Sequence, residues 1–391
     1  MRALSVSAVL VLAPLAGCGG DPASNPGADA GEDASGSEDG GADAAIDAPA
    51  IDALVIDPPQ MCGTETCRAG ETCDQGTCMA PSCVGAAVPG DYATIQAAAT
   101  ALAAAGADAT ICLGNRVYPA PASGNAIFIN DPDNHGATLR IVGQGRDRSR
   151  ITGRFSIGRG WGTVTFEGVE ITAPTAEAIL IGEGQTPDVE VLASRLRGPT
   201  GIEALQRVNL RVEGTVFAVS TYGLSLLHSS STGGPMRVRV ENSVFRDDGV
   251  AIRANSTYAG KMFVTVVGST FRGVDHGIRL GDVALGGDIT ATISSSIFTD
   301  ISQRALAWTV DDTVTHTRNA LWGNGVNYFG VASAGVGYVT QDCLLTPASP
   351  APGLAASSPC RDAGDPAHAT THDFYGVARG SLPDIGAVEA P

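Results

Sequence analysis

The chain has 391 residues, 24 basic and 41 acidic, for a net charge of −17 and a mean hydropathy of +0.11. Ten of the acidic residues, with no Lys or Arg among them, lie between Asp21 and Gln60, so that segment supplies −10 and the rest only −7. The acidity therefore belongs mainly to one segment and does not describe a site for cations. A single lysine, Lys261, and dispersed arginines give no basic stripe, which argues against nucleic acid as a partner.

Residues 1–17 begin Met1-Arg2, continue through a short apolar run and end Leu15-Ala16-Gly17 before Cys18. One positive charge, an apolar core too short to span a bilayer and small residues at the end describe a signal peptide. Leu-Ala-Gly-Cys also resembles a bacterial lipobox, which implies cleavage before Cys18 and lipidation of its thiol. The expected localisation is therefore exported and lipid-anchored, at a bacterial outer membrane or cell surface, with the membrane as partner through Cys18. Residues 18–60, rich in Ala, Asp, Gly and Pro, cannot bury enough apolar surface to offset ordering entropy and read as a disordered tether.

Cys62, Cys67, Cys73, Cys78 and Cys83 make residues 61–83 a small cysteine-rich module, with Cys112 further on and Cys343 and Cys360 near the C-terminus. Eight cysteines besides Cys18 in an exported chain point to disulfides. The dense spacings hold no paired C-x-x-C, so zinc is not expected. The first six allow 15 connectivities. A Cys83–Cys112 bridge would tie the module to the first strand beyond it, and Cys343–Cys360 are natural partners because no other cysteine lies near them.

The solenoid reading occupies residues 84–345. A helix is expected near 93–105, where Thr94 can cap, the alanines favour helix and Gly106 can stop it. A first strand comes next, over 107–113. A short phrase then recurs seven times, anchored on Ile171, Leu196, Phe217, Phe245, Phe271, Phe298 and Trp322 at intervals of 25, 21, 28, 26, 27 and 24 residues. Five residues before each anchor stand Phe166, Val191, Val212, Val240, Val266, Ile293 and Thr317. Three before it come Gly168, Ala193, Gly214, Asn242, Gly268, Ser295 and Asn319, a turn column. Apolar residues alternate, as in Val238-Arg239-Val240, and a period in this range marks stacked repeats. Three short strands and three turns per repeat make an all-β fold, a single-stranded right-handed parallel β-helix with the anchors inside. The third-strand outward column is expected to be Leu180, Glu203, Ser225, Ala251, Arg279 and Asn327.

The segment Tyr92-Ala-Thr-Ile-Gln-Ala-Ala, with Leu139-Arg-Ile-Val-Gly-Gln-Gly145 and Ile151-Thr-Gly153 after it, resembles the opening of pectin-lyase-like β-helix proteins. The last stretch, 346–391, reads Ser358-Pro-Cys-Arg-Asp-Ala-Gly-Asp-Pro366, then Asp373-Phe-Tyr-Gly-Val-Ala-Arg-Gly380 and Asp384-Ile-Gly-Ala-Val-Glu389. It resembles the C-terminal signature of bacterial surface proteins called choice-of-anchor Q, which carry a right-handed β-helix and varied anchors. That resemblance assigns no reaction. Asp362, Asp365, Asp373 and Asp384 could serve as calcium ligands but read first as turn caps. No resident cofactor is expected beyond that Ca²⁺.

Polygalacturonases of this fold place aspartates and a His-Gly before a G-I-x-I strand on successive coils. Here Asp247-Asp248-Gly249-Val250-Ala251-Ile252 is matched one coil on by Asp275-His276-Gly277-Ile278, with Arg279 or Arg304 to meet a uronate carboxylate. The resemblance would make Asp247, Asp248, His276 and Arg279 catalytic, in inverting hydrolysis by two carboxyl groups. The family's further aspartate is replaced by Thr221-Tyr222-Gly223, and its Arg-Ile-Lys element has no counterpart. Pectate lyases find only a faint echo in Val274-Asp275-His276, and one carboxylate in the outward column is too few to hold calcium against a uronate. Asp131, Asp133, Asn134 and His135 form a further polar cluster that reads as turn chemistry. The leading expectation is a monomeric, lipid-anchored surface β-helix that binds polysaccharide or matrix without catalysis. The alternatives are a polysaccharide-degrading enzyme, lyase or hydrolase, and a protein-binding adhesin.

Overall fold

A computed structural model of the chain describes residues 61–62, 65–66, 72–74, 77–79, 83–119, 126–133, 135–182, 187–228, 234–247, 249–257, 262–281, 289–330, 332–347 and 350–390. Cys18, Cys67, the signal peptide and tether, Asn134 and Asp248 lie outside the described residues. Two small antiparallel pairs, Met61–Cys62 with Glu65–Thr66 and Thr72–Asp74 with Thr77–Met79, put Cys73 opposite Cys78 in register.

From Ala86 onward the chain is a right-handed parallel β-helix of about nine coils. The first face is a 10-stranded sheet running from Ala86–Val88 to Thr313–Thr317. The second face runs from Val117–Pro119 to Ala320–Trp322, and the third from Ala126–Ile129 to Val326–Gly330. These two share a 16-stranded sheet because Arg195–Leu205 and Val216–His228 continue around the corner between them.

Each coil presents its apolar residues to the same interior line, so the coils cover one another. Ile171, Leu196, Phe217, Phe245, Phe271 and Phe298 are successive register partners. The four phenylalanines stack with ring centroids 4.5, 4.8 and 4.6 Å apart and interplanar angles of 4°. Beside them runs a buried hydroxyl ladder: Ser243, Ser269 and Ser296 each donate to the carbonyl two residues back and accept an N–H from the coil below. Asn319 closes it, accepting from Ser296 N at 2.9 Å and donating to Ile293 O at 2.9 Å. The corner before this ladder repeats a left-handed backbone, φ 47° at Ala193, 55° at Gly214, 47° at Asn242 and 55° at Gly268. That conformation explains the turn column, since Gly and Asn adopt it at least cost.

The last copy of the repeat is corrected by one residue. Phe298 pairs with Leu321, not Trp322, and Leu321 is buried while Trp322 is 46% exposed. The same shift puts His316 rather than Thr317 beside Ile293, and Arg318 at the left-handed corner (φ 48°) in place of Asn319. The final interval is therefore 23 residues. Trp322 occupies an outward position because the exposed-side column, not the interior one, ends in an aromatic.

Both ends are closed. The helix Ile95–Ala105 starts with Ala97 N donating to the Thr94 side chain at 3.1 Å and stops at Gly106, φ 66°. Gln96 fastens it to the first third-face strand, accepting from Phe128 N at 2.7 Å and donating to Phe128 O at 3.1 Å. At the other end, residues 336–339 add bridges at Thr317 and Ala320, and the tail turns back along the second face. Phe374, Ala387 and Val388 cover Val216 and Val244, while Leu354, Cys360 and Ile385 cover Ile297 and Ala320. Disulfides join Cys83 to Cys112 and Cys343 to Cys360. Among the described residues no helix is long and apolar enough to cross a membrane.

Candidate functional site

The three faces differ in what stands outside them. On the first face three arginines are paired, Arg140 with Glu167 at 2.6 Å, Arg211 with Glu213 at 2.5 Å and Arg239 with Glu241 at 2.6 Å, while Arg237 stacks on Phe263 at 4.5 Å. On the second face the column Val216, Val244, Thr270, Ile297, Ala320 is buried beneath the tail. The third face keeps a row of large side chains that the tail does not bury.

The outward column of that face is corrected in two places. Register runs Leu180, Glu203, Ser225, Arg253, Arg279, Ala307, Phe329. Ala251 and Asn327 belong instead to the corner position occupied by Gly201, Gly223, Gly277 and Ala305. Ala251 is fully buried. The small residues there have a steric cause: a Cβ on Gly201 would stand 2.7 Å from the Phe217 ring, and one on Gly277 2.9 Å from the Phe298 ring. The glycine of His276-Gly277-Ile278 thus makes room for the interior ladder. A neighbouring outward column reads Thr200, Tyr222, Val250, His276, Arg304, Val326.

The two columns interlock through cations on rings. Arg253 lies over Tyr222, its guanidinium carbon 5.3 Å from the ring centroid, and donates from Nη1 to the Tyr222 hydroxyl at 3.2 Å. Arg304 stacks on Phe329 at 3.4 Å. Such stacking fixes the guanidinium plane and leaves edge N–H groups for paired oxygens. His276 is half-buried between Val250 and Arg304, and its Nδ1 has no partner among the described residues. Burial, and then Arg304 and Arg279, hold its pKa below the ordinary histidine value, with Asp275 opposing. Glu203 is shifted upward by burial and by Glu177, against the pull of Arg253.

Of the residues that the polygalacturonase resemblance made catalytic, His276 and Arg279 share one strand of this face. Asp247 does not project from it: it is exposed at the second-to-third-face corner, with φ 62°, in line with Gly273 (65°), Asp300 (57°) and Gly323 (68°). Asp275 accepts from Ser302 Oγ at 2.6 Å. These aspartates shape corners.

The carboxylates elsewhere are engaged by backbone. Buried Asp131 accepts N–H groups of Asp133 at 3.1 Å and His135 at 2.9 Å, and its oxygens lie 3.0 and 3.2 Å from His135 Nδ1. Burial alone would raise its pKa, but these bonds outweigh it and the net shift is downward. With Asp133 and His135 its ligand-type atoms lie within 4.8 Å of one another, yet the loop's own donors already use the Asp131 oxygens. In the tail, Asp373 accepts from Tyr375 N, Val377 N and Glu389 N at 2.8, 2.8 and 2.9 Å. Asp384 accepts from Asp362 N at 2.7 Å and Ala390 N at 2.6 Å. Asp365 accepts from Ala367 N at 3.0 Å and Thr317 Oγ1 at 2.5 Å. These three carboxylates thus tie distant parts of the tail together and, through Thr317, fasten it to the last first-face strand.

Neither a family model nor a curated protein matches the chain. Among solved structures it is similar to the crystal structure of pectate lyase Pel9A, at 14% identity over 78% of this chain and 96% of that one, with a TM-score of 0.34. A likeness that loose assigns neither activity nor site, and the fold rests on this chain's own strand register. Sequence reasoning missed the Arg253–Tyr222 and Arg304–Phe329 pairs. The spacing of Arg253 and Arg279, 26 residues apart like Phe245 and Phe271, was the available signal.

Proposed function

We propose that the chain is a lipid-anchored, surface-displayed β-helix that binds polysaccharide without turning it over. The observation that carries this reading is the third face, where Tyr222, Arg253, His276, Arg279, Arg304 and Phe329 occupy neighbouring positions on successive coils outside the tail's cover. Stacked aromatics and guanidinium groups on a straight, ridged surface suit an extended sugar polymer. Hydrolysis would need two carboxyl groups flanking the bond; among the described residues Asp247 and Asp275 serve corners, and Glu203, the one carboxylate in its outward column, neighbours Glu177, which is paired with Arg154 at 2.5 Å. The lipobox at Cys18 and the acidic residues 18–60 support export and display on a tether, and the tail motifs support a place among choice-of-anchor Q surface proteins.

A glycan-array binding screen, run beside assays for new reducing ends and unsaturated products with and without Ca²⁺, tests the reading. Binding without product is expected. Turnover that His276→Ala abolishes would replace it with a lyase or hydrolase. Cys18→Ala should release the protein from membranes into the soluble fraction, and retention there would refute the anchor.

A further inference from the structure

The third face is cationic in a particular way. Arg253 and Arg279 are direct register partners, as are His276 and Arg304, so the positive side chains advance one coil at a time, about 4.8 Å per step. Among the described residues neither Arg253 nor Arg304 has a carboxylate within ion-pair distance, in contrast to Arg140, Arg211 and Arg239 of the first face, where Arg237 alone is stacked on a ring. Each is instead braced on a ring, at 5.3 Å over Tyr222 and 3.4 Å over Phe329. A guanidinium so braced loses little freedom when it pairs with a carboxylate or sulfate. Toward the N-terminal end of the same face the charge changes sign, with Glu203 in register beside the strand Glu177–Ile181 and Glu177 held by Arg154 at 2.5 Å.

His276 stands inside this group. Arg304 faces it from the next coil, Arg279 shares its strand, and Asp275 precedes it. The preceding coil contributes Val250 in register, Arg253 on the same strand and Asp247 at the corner. Its Nδ1 is unpartnered among the described residues.

We infer that the third face binds a linear polyanion, bearing a carboxylate or sulfate on successive units, along the solenoid axis across Arg253, Arg279 and Arg304, and that His276 takes up a proton as the polymer seats. This rests on the polymer-binding reading above. In the free protein burial and the two arginines disfavour a charge on His276. Polymer anions neutralise those arginines and supply a counter-charge, so the bound state takes a proton more readily than the free state. Linkage then makes affinity rise as pH falls through the histidine range. Counterion release makes it fall with salt.

The test is titration calorimetry of the full chain with polygalacturonate, dextran sulfate and neutral dextran, at about pH 5 and about pH 8, in buffers of differing ionisation enthalpy. Either polyanion should bind, more tightly at the lower pH and with proton uptake, and the two arms show whether carboxylate or sulfate is preferred. Combined R253A and R304A should weaken polyanion binding by about tenfold or more, one decade of the affinity scale. Combined R253K and R304K, retaining charge while losing the planar fork, should fall between. H276Q should bring the affinity ratio between the two pH values close to one and remove the buffer dependence. Equal binding of neutral dextran would overturn the inference and leave the polymer-binding reading standing. Binding of no polymer at all would overturn both. A pH ratio unchanged in H276Q would overturn the proton uptake.

Discussion

The middle coils and the closing coil solve the same problem by different means. Between Phe217 and Phe298 each coil is a near copy of the last, and its interior is filled by one stacked ring per coil and one hydroxyl per coil. At the closing end there is no next coil to supply the partner, and the interior is occupied by dissimilar side chains that partner one another. Tyr338 accepts from Asn319 Nδ2 at 3.3 Å and shares a hydrogen bond with His316 Nδ1, while Trp308 meets the His316 ring edge-on at 5.0 Å. Burial pushes Tyr338 far up and Tyr328 to about 12. Repetition stabilises the middle through many equivalent contacts, and the end depends on a few specific ones.

The largest expected effect lies in the middle. Phe271→Ala removes a ring stacked on both sides, and unfolding by denaturant should show a loss of about 3–5 kcal/mol. If the loss is under about 1 kcal/mol, well short of a core truncation, the coils do not depend on the ladder. At the closing end, Cys360→Ser opens a short loop and should cost about 2–4 kcal/mol. Limited proteolysis should then cut the tail while the middle coils persist, and uniform loss of the whole chain would mean that the two regions unfold as one. Tyr338→Phe deletes one hydroxyl that serves two partners and should lower stability by about 1 kcal/mol, read as a drop in melting temperature.

The smallest effect concerns pH. Burial holds His316 below the ordinary histidine value, so the folded state binds fewer protons than the unfolded one near that pH. Its contribution is present above the unfolded pKa and is lost as pH falls toward the folded one. Melting temperature should decline over that window in the natural chain and less steeply in His316→Phe. Equal slopes would assign the acid sensitivity elsewhere.

The same contrast governs how far the chain could be read. The columns through Phe298 were legible because residues at one position share an interior line and a short period exposes them. The last copy was not: Trp322 looks like a better anchor than Leu321, and only pairing with Phe298 decides between them. On the third face the alternation breaks at the corner occupied by Gly223, Ala251 and Gly277, where the ladder ring presses on the backbone. Counting by twos from the corner therefore placed Ala251 where Arg253 stands. The candidate surface is only partly visible in the sequence for that reason: His276, Arg279 and Arg304 show there as a catalytic echo, whereas Arg253 and the rings that brace Arg253 and Arg304 do not.

The tail's clasp has a consequence for biogenesis. Arg379, with a side chain 2% exposed, donates to Glu389, Asn242, Gly386, Asp384 and Thr370, and so ties the end of the chain to a coil 137 residues earlier. Chains emerge N-terminus first, and parallel coils can stack as each arrives on a helix-capped start. The apolar stripe of Val216, Val244 and Ile297, however, stays bare until residues 354–388 have appeared. A nascent chain, or one cut before residue 354, would carry that stripe as an open mark available to chaperones and proteases, and docking of residues 354–388 would erase it.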